Sequence, residues 1–334
     1  MHRPDMTFEH DYPFDPSYGY NLDQLLSVAP PEAPADFERF WQARYARALT
    51  VAPNPRLAAS ELTHPDFCVQ TLTYDSSEGF SIRGWLLTPR SQPPRCGFVL
   101  GHGYGGIAAP PFDLPYPDGV YLVPCFRGIG LSRRPPISEN PIWHVLHDIH
   151  LRDRYILGGC VDDIWTGVTA LLQLYPALAG HLGYLGISFG GGLGAMALAW
   201  DPRLARGHLN VPSFGHQPLR LQLPTVGSGA AVQRFAEEHG QMPDALRYFD
   251  AALSAWHIQQ PMHIAAARFD PAVAPPGQFA VYNAIPGEKH LFVLEAGHFD
   301  YPSRARQDRE LLEALTDFSR PLCATPANRA DSDD

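Results

Sequence analysis

Residues 183–192 read Gly183-Tyr184-Leu185-Gly186-Ile187-Ser188-Phe189-Gly190-Gly191-Gly192 and hold a Gly-x-Ser-x-Gly motif. A short apolar run precedes the motif, and small residues at helical spacing follow it up to Trp200. This order predicts strand, sharp turn and helix, with Ser188 exposed beside a helix N-terminus whose free N–H groups favour negative charge. The two motif glycines leave room where a side chain would clash. The motif predicts a nucleophilic serine, although a glycine-rich turn with an incidental serine has the same pattern.

Length and charge narrow the class of protein. The chain has 334 residues, of which 45% are hydrophobic, and this suits one large domain or one domain with an insertion. The net charge of −10 and the lack of a basic block argue against nucleic acid as a partner. No window approaches an apolar transmembrane span, so we expect no membrane partner.

The cysteines and the N-terminus suggest a compartment. The first residues of the chain lack the apolar run of a signal peptide. The chain has 5 cysteines, an odd number, and Cys68, Cys96, Cys125 and Cys160 mostly lie in apolar, strand-like or helix-like patterns. We therefore interpret them as reduced core thiols of a cytoplasmic protein.

Hydrophobic periodicity predicts the remaining elements. After an initial hairpin, strands alternate with helices, which favours a mostly parallel central sheet with helices on both faces. Together with the serine motif, this predicts the α/β-hydrolase fold. A first helix begins at an N-cap, Asp36. The other predicted elements are strands at 67–75, 81–88, 96–100, 119–124, 182–187, 207–211, 262–269 and 290–294, and helices at 153–175, 230–239, 277–284 and 304–319.

Three segments fall outside this alternation. Residues 1–30 are rich in aromatic residues, Asp and Pro without a period, and we interpret them as an irregular arm on the domain surface. Residues 212–260 follow the sixth predicted strand, and their length predicts a cap-like insertion over the site. The polar residues 321–334 are expected to be a flexible tail. The hydrolase domain itself then spans 31–320.

A nucleophilic serine needs a base and an acid that orients the base. In this fold they follow the serine in the order acid, histidine, each after a later strand. Asp270 follows the strand at 262–269, and His298 follows the last strand. Both positions fall at carboxyl ends of strands, where open α/β sheets bind ligands. Ser188, Asp270 and His298 are therefore the predicted catalytic triad, with Asp250 and Asp300 as weaker alternatives for the acid.

The oxyanion of the reaction needs N–H donors. We expect the backbone N–H of Phe189, directly after the nucleophile, and that of Tyr104, in the loop His102-Gly103-Tyr104-Gly105-Gly106. The alternative is a tight turn whose glycines only relieve steric crowding. Four aromatic residues are candidates for the wall of a small apolar substrate pocket, with plain core packing as the alternative: Tyr104, Phe189, Phe214 and Phe269.

Two further groups of residues have a structural interpretation. Arg127 follows a strand, and we expect it to support neighbouring loops through hydrogen bonds rather than to contact substrate. His144, His147 and His150 lie close in sequence, but no metal-binding motif accompanies them. We interpret them as an ordinary loop or helix face and expect neither a metal nor a cofactor.

These residues together resemble the acetyl xylan esterase / cephalosporin C deacetylase family of carbohydrate esterases, from about residue 30 to 318. Residues 34–41 and 82–89 are similar to the family's N-terminal helix and second strand. The loop 102–106 is similar to its oxyanion loop, in which the tyrosine supplies the backbone donor. A proline pair follows the family's catalytic Asp, and Pro275-Pro276 follows Asp270 one residue later than usual; Tyr282-Asn283 also matches.

Three positions depart from the family pattern. Ile129 and Phe189 stand where the family usually has Gln, and Phe299 stands where it usually has Glu. The catalytic side chains are kept, as is the backbone N–H after the nucleophile. We therefore expect the family's chemistry in a divergent member whose site has lost polar neighbours.

The resemblance implies a serine carboxylesterase that deacetylates sugars or similar small acetyl esters through an acyl-enzyme intermediate. The expected partner is a small acetylated substrate, and the family's habit of forming oligomers suggests a homo-oligomer. One alternative is a hydrolase for another bond, such as a peptide or a lactone. Another is a non-catalytic binding protein that kept the fold.

Overall fold

A nine-stranded sheet forms the centre of the part of the chain that the computed structural model describes, residues 8–324. Its strands are β1 Arg56–Ala59, β2 Phe67–Asp75, β3 Ser81–Pro89, β4 Cys96–Gly101, β5 Gly119–Pro124, β6 Leu182–Ile187, β7 Leu204–Asn210, β8 Met262–Ala267 and β9 Lys289–Leu294. They lie in the order β1-β2-β3-β5-β4-β6-β7-β8-β9.

The sheet is mostly parallel, as predicted. β1, β2 and β3 pair antiparallel, β3 is antiparallel to β5, and strands β4 to β9 are mutually parallel. The hydrophobic pattern misses β1, because all its residues are exposed and show no alternation. With β1 counted, the segment 212–260 follows the seventh strand rather than the sixth.

Helices cover both faces of the sheet, which confirms the α/β prediction. The helices of the described residues are α1 Leu22–Leu25, α2 Phe37–Leu49, α3 Pro141–His144, α4 Ile156–Leu174, α5 Phe189–Leu198, α6 Gln217–Arg220, α7 Ser228–Glu238, α8 Ala251–Ala255, α9 Pro275–Ala284 and α10 Arg304–Cys323. α4 and α5 lie in the main core on one face. α10 packs on the other face through Leu311, Leu315 and Leu322.

The segment 212–260 holds α6, α7 and α8. Its apolar side chains, including those of Val232, Leu246 and Phe249, are buried in the same cluster as those of α4 and α5. The segment therefore contributes to the core of the domain. That it also caps the site stays a prediction.

The N-terminal arm reaches the loop after β8. It contains α1, so the expectation of a wholly irregular arm is wrong there. The carbonyl of Pro16 accepts a hydrogen bond of 3.0 Å from the backbone N–H of Asp270. The ring of Phe8 packs edge-on against Phe269 at a centroid distance of 5.0 Å. The arm thus supports a loop of the predicted site; residues 1–7 lie outside the described residues.

The C-terminal helix extends beyond the predicted domain boundary. α10 ends at Cys323, and Leu322 and Cys323 are buried, so a flexible tail beginning at 321 is wrong for these positions. The amphipathic pattern of α10 weakens near its end, and burial there depends on the sheet beneath it. Residues 325–334 lie outside the described residues.

A disulfide corrects the interpretation of the cysteines. Cys96, at the start of β4, is bonded to Cys323, 227 residues away in sequence. An apolar pattern shows that Cys96 is buried but not that a second cysteine meets it. Cys68, Cys125 and Cys160 are free. The cytoplasmic location stays a prediction, without the support of fully reduced cysteines.

The connection between β4 and β5 lacks a helix. These strands are parallel neighbours, and such pairs are usually joined by a crossover helix. Residues 102–118 instead run as irregular chain across the α10 face of the sheet. Prolines at 110, 111, 115 and 117 account for this, because proline lacks the N–H that a helix needs and clashes with its preceding turn.

Candidate active site

Ser188 lies at the turn between β6 and α5. Its φ of 54° and ψ of −111° fall in a region that residues with a side chain rarely adopt. A Cβ at Gly186 would lie 2.5 Å from the carbonyl oxygen of Gly190, and a Cβ at Gly190 would lie 2.3 Å from the backbone of Gly101. The motif glycines are therefore required by steric crowding, as predicted. The serine is only 8% exposed, less than its place at the turn suggests.

The structure brings together the three residues of the predicted triad. Ser188 Oγ lies 2.8 Å from His298 Nε2, and His298 Nδ1 lies 2.8 Å from Asp270 Oδ2. An ionised carboxylate only accepts hydrogen bonds, so Nδ1 carries the proton and donates it to Asp270. Nε2 is then free to accept a proton from the serine hydroxyl.

Asp270 is fully buried and held by four donors. The backbone N–H groups of Ala272 and Val273 donate to Oδ1, each at 2.9 Å. The side-chain amide of Gln278 donates to Oδ2 at 3.0 Å, alongside His298. Gln278 is itself fully buried and also accepts from the N–H of Ala267 at 2.8 Å. These bonds fix the carboxylate in the plane that meets the imidazole.

Gln278 is a site residue that the sequence analysis missed. It lies in α9, whose other buried residues include Phe279, Ala280 and Val281. A glutamine directly before the apolar residues Phe279, Ala280 and Val281 is the signal that could have identified it, because a buried polar side chain needs a partner.

The charge of Asp270 shapes the titration of His298. Burial alone would lower the pKa of His298, but the Asp270 carboxylate and its hydrogen bond outweigh that effect, and the net shift is upward. The imidazole is thus a stronger base than a free histidine.

The two alternative acids lie elsewhere. Asp250 accepts from the backbone N–H groups of residues 216, 217, 252 and 253 and caps α8. The side chain of Asp300 is 94% exposed and pairs with Arg304. Only Asp270 of these three carboxylates contacts His298.

The predicted oxyanion loop packs directly against the elbow. The N–H of Gly190 donates to the carbonyl of His102 at 3.0 Å, and the N–H of Phe126 donates to His102 Nε2 at 3.1 Å. Burial lowers the pKa of His102 to about 4, so it is neutral near pH 7. Within residues 8–324, no hydrogen bond uses the backbone N–H of Tyr104 or Phe189. Both predicted oxyanion donors are therefore available.

The side chain of Tyr104 is anchored below the loop. Its hydroxyl lies 2.8 Å from His144 Nδ1, and His144 Nε2 lies 2.9 Å from the carbonyl oxygen of Arg127. A carbonyl only accepts, so Nε2 carries the proton and Nδ1 accepts from the tyrosine. The Tyr104 ring also stacks on Phe189 at a centroid distance of 4.0 Å.

Three of the four pocket candidates are core residues instead. Phe189 is 0% exposed, Phe214 1% and Phe269 3%. Phe189 and Phe214 pack against each other in the main core, and Phe269 packs against Phe299. The side chain after the nucleophile turns inward, and Phe214 lines only a small cavity of about 10 Å³, so these three do not form the wall of an open substrate pocket. Tyr104 alone is partly exposed.

Arg127 has the supporting role that was predicted. It is 1% exposed and donates to Asp163 at 2.7 Å and to Glu78 at 3.1 Å. His144 is the last residue of α3 and is buried, whereas His150 is exposed. In the described range 8–324, no cluster of His, Cys, Asp or Glu could hold a metal ion. No helix of that range combines the length and apolarity needed to span a bilayer.

Comparisons with known proteins show the family and the fold of this chain. The family model of acetyl xylan esterases matches residues 20–313. No curated sequence relative matches the chain. Acetyl xylan esterase 1 from Thermoanaerobacterium sp. JW/SL YS485 superposes with a TM-score of 0.76 at 18% identity, covering 90% of this chain and 99% of that one.

Two further solved structures share the fold. The acetyl xylan esterase from Paenibacillus sp. R4 gives a TM-score of 0.75 at 21% identity, with 88% of this chain and 99% of that chain covered. An acylaminoacyl peptidase from Pyrococcus horikoshii gives 0.59 at 15% identity, with 76% of this chain and 41% of that chain covered. At these identities, the likeness shows a common α/β-hydrolase fold.

Proposed function

This chain belongs to the acetyl xylan esterase family and is a carboxylic ester hydrolase of the serine type, and on that premise we propose that Ser188, His298 and Asp270 are its catalytic triad. The observation that carries the proposal is the unbroken chain of hydrogen bonds, 2.8 Å from Ser188 to His298 and 2.8 Å from His298 to Asp270. The same chain of contacts favours an enzyme over a binding protein, because a binding protein has no need of it.

The first half of the reaction acylates the serine. Ser188 Oγ attacks the carbonyl carbon of an acetyl ester, and its proton moves to His298 Nε2. Asp270 stabilises the imidazolium that results. The N–H groups of Tyr104 and Phe189 donate to the oxyanion. When the tetrahedral intermediate collapses, the C–O bond to the alcohol breaks, and the alcohol leaves with the proton from His298.

The second half releases the acetyl group. A water molecule gives a proton to His298 Nε2 and attacks the carbonyl carbon of the acetyl-serine. The bond to Ser188 Oγ breaks, the serine regains the proton, and acetate leaves. Each half thus uses the same base and the same oxyanion donors.

The test is hydrolysis of p-nitrophenyl acetate by Ser188→Ala. We expect kcat to fall by about 10⁴-fold or more. Ser254→Ala is the matched control, because Ser254 is buried and its Oγ has no hydrogen-bond partner in residues 8–324. A fluorophosphonate probe should label the wild type and the control but not Ser188→Ala. Undiminished hydrolysis by Ser188→Ala would refute the nucleophile.

The substrate class follows from the family. Small acetyl esters are the expected substrates, and the relatives' names favour acetylated xylan or its sugars as the alcohol component. A panel of acetylated xylose, a lactone and an N-acetyl peptide separates the acetyl esterase from a hydrolase of another bond. Faster hydrolysis of the lactone or the peptide than of any acetyl ester would overturn this substrate class.

Two further properties are part of the proposal. A homo-oligomer is suggested by the family, and size-exclusion chromatography with light scattering measures it. A cytoplasmic location is the second, and fractionation of the native host tests it.

A further inference from the structure

A cavity of about 350 Å³ lies on the α10 face of the sheet, beside the elbow. This volume is within the range of small-molecule sites, roughly 300–1,000 Å³. Its walls are the ends of β4, β6 and β7, the irregular connection 102–118, and α10. Most of the lining is apolar and includes Leu100, Leu185, Ile187, Leu312 and Leu315.

The missing crossover helix explains the cavity. A helix between β4 and β5 would pack on this face, but the proline-rich chain at 102–118 covers it only in part. The side chain of Ile187, directly before Ser188, consequently remains 46% exposed.

The cavity lies beside the nucleophile, although the Ser188 side chain is not part of its lining. Ile187 lines it and directly precedes Ser188 in sequence. Gly103 lines it as well, and a Cβ at Gly103 would lie 4.0 Å from the Cβ of Ser188, which is ordinary contact distance. An ester bound at Ser188 can therefore extend into the cavity.

We propose that this cavity binds the alcohol part of the ester and selects an apolar alcohol, such as an aryl or branched alkyl alcohol. The inference rests on the proposed function. Within the class of small acetyl esters, it favours acetates of apolar alcohols over the acetylated sugars that the relatives' names suggest.

The position of His298 assigns the cavity to the alcohol rather than to the acyl group. His298 protonates the leaving oxygen, so the alcohol lies on its side of the serine. Its neighbour Gly297 approaches Val211, which shares an apolar cluster with Leu315 of the cavity wall. On the opposite face, where Phe189 and Phe214 are buried, the cavity beside Phe214 is only about 10 Å³.

The polar groups of the cavity refine the ligand class. Asp113 contributes a carboxylate, and burial lowers the pKa of His208 to about 3, so His208 adds no positive charge near pH 7. An anionic alcohol is therefore disfavoured. Asn210 also lines the cavity, and its Oδ1 has no hydrogen-bond partner in residues 8–324.

The experiment fills the cavity from its exposed edge. Ala109 lines the cavity and Ala108 does not, and both are exposed in the same loop, so Ala109→Trp and Ala108→Trp are a matched pair. For both variants and the wild type, kcat/KM is measured with 1-naphthyl acetate, methyl acetate and methyl hexanoate. A third variant, Leu312→Ala, enlarges the cavity from the helix side.

We expect Ala109→Trp to lower kcat/KM for 1-naphthyl acetate by about tenfold or more, a typical effect of lost pocket contacts, and to leave methyl acetate within about twofold. Ala108→Trp should change neither ester, and Leu312→Ala should change the ratio between the two. Equal effects on both acetates, or no effect, would overturn the proposal. A selective loss for methyl hexanoate would assign the cavity to the acyl side instead and refute the alcohol side.

Failure of the proposed triad and failure of the cavity proposal give different results. If hydrolysis of methyl acetate survives in Ser188→Ala, the proposed function fails whatever the cavity does. If it is abolished and Ala109→Trp has no selective effect, only the cavity proposal fails.

Discussion

Gln278 and His298 donate to the same carboxylate oxygen of Asp270, at 3.0 Å and 2.8 Å. The glutamine holds the carboxylate from α9 while the histidine meets it from the loop after β9. The orientation of His298, the proposed base, thus depends on an amide that is fully buried.

Gln278→Met keeps the volume of the side chain but removes its donor. We expect kcat to fall by about tenfold to a hundredfold, since Asp270 loses one of the hydrogen bonds that fix its plane. KM for p-nitrophenyl acetate should change little. Gln278→Glu should be worse, because a second carboxylate would then face Asp270. Equal kcat in the wild type and Gln278→Met would show that the other donors suffice.

The pH dependence of kcat/KM reports the free His298. Only the neutral imidazole accepts the serine proton, so activity should rise with pH through a pKa above the ordinary 6.5. In Asp270→Asn the attraction that raises this pKa is gone, and burial should move the acid limb to lower pH. The variant should also lose about 10⁴-fold in kcat. An acid limb at the same pH in both proteins would contradict the assignment.

We propose that His144 is a positioning residue for the predicted oxyanion loop, because it holds the Tyr104 side chain. His144→Phe removes the acceptor of the Tyr104 hydroxyl, and we expect kcat to fall by about tenfold to a hundredfold with KM nearly unchanged. His144→Gln can still accept from Tyr104 and donate to the Arg127 carbonyl, so it should restore part of the activity.

The control for this prediction is His150→Phe, at an exposed position a few residues further on. It should have wild-type kcat. A purely structural role for His144 would lower kcat and thermal stability together in both His144 variants, without rescue by glutamine.

The Arg127–Asp163 pair stabilises the loops behind the site. In Arg127→Met, the fully buried Asp163 carboxylate loses its ion-pair partner, and the free energy of unfolding should fall by about 3–5 kcal/mol. Arg133→Met removes an arginine that is 72% exposed and should change stability by no more than about 0.5 kcal/mol. Urea unfolding of both variants measures the difference.

The sequence was sufficient to predict the position of residues that directly follow a strand. Ser188, Asp270 and His298 each follow a parallel strand, and the carboxyl ends of parallel strands share one edge of the sheet. Their meeting could therefore be predicted from order along the chain. The motif glycines were predictable for the same reason, because the strand–turn–helix crowding is local.

Contacts between distant segments were not predictable. The hydrogen bond from Asp270 to Pro16, the partner of Cys96 and the anchoring of Tyr104 by His144 all depend on how loops pack after the sheet has formed. The pocket candidates failed for a related reason. An aromatic side chain near a nucleophile can face the substrate or the core. The sequence is the same in both cases, so it does not distinguish the two orientations.

The Cys96–Cys323 disulfide joins the start of β4 to the end of α10 and so closes the chain between them into a covalent loop. Proteolytic cleavage of the exposed chain near Ala108 would give two fragments that remain covalently linked through this disulfide. Without a reductant, α10 could not separate from β4. The part of the cavity wall that α10 forms would therefore stay in place. Nicked and intact enzyme should therefore co-migrate until the bond is reduced.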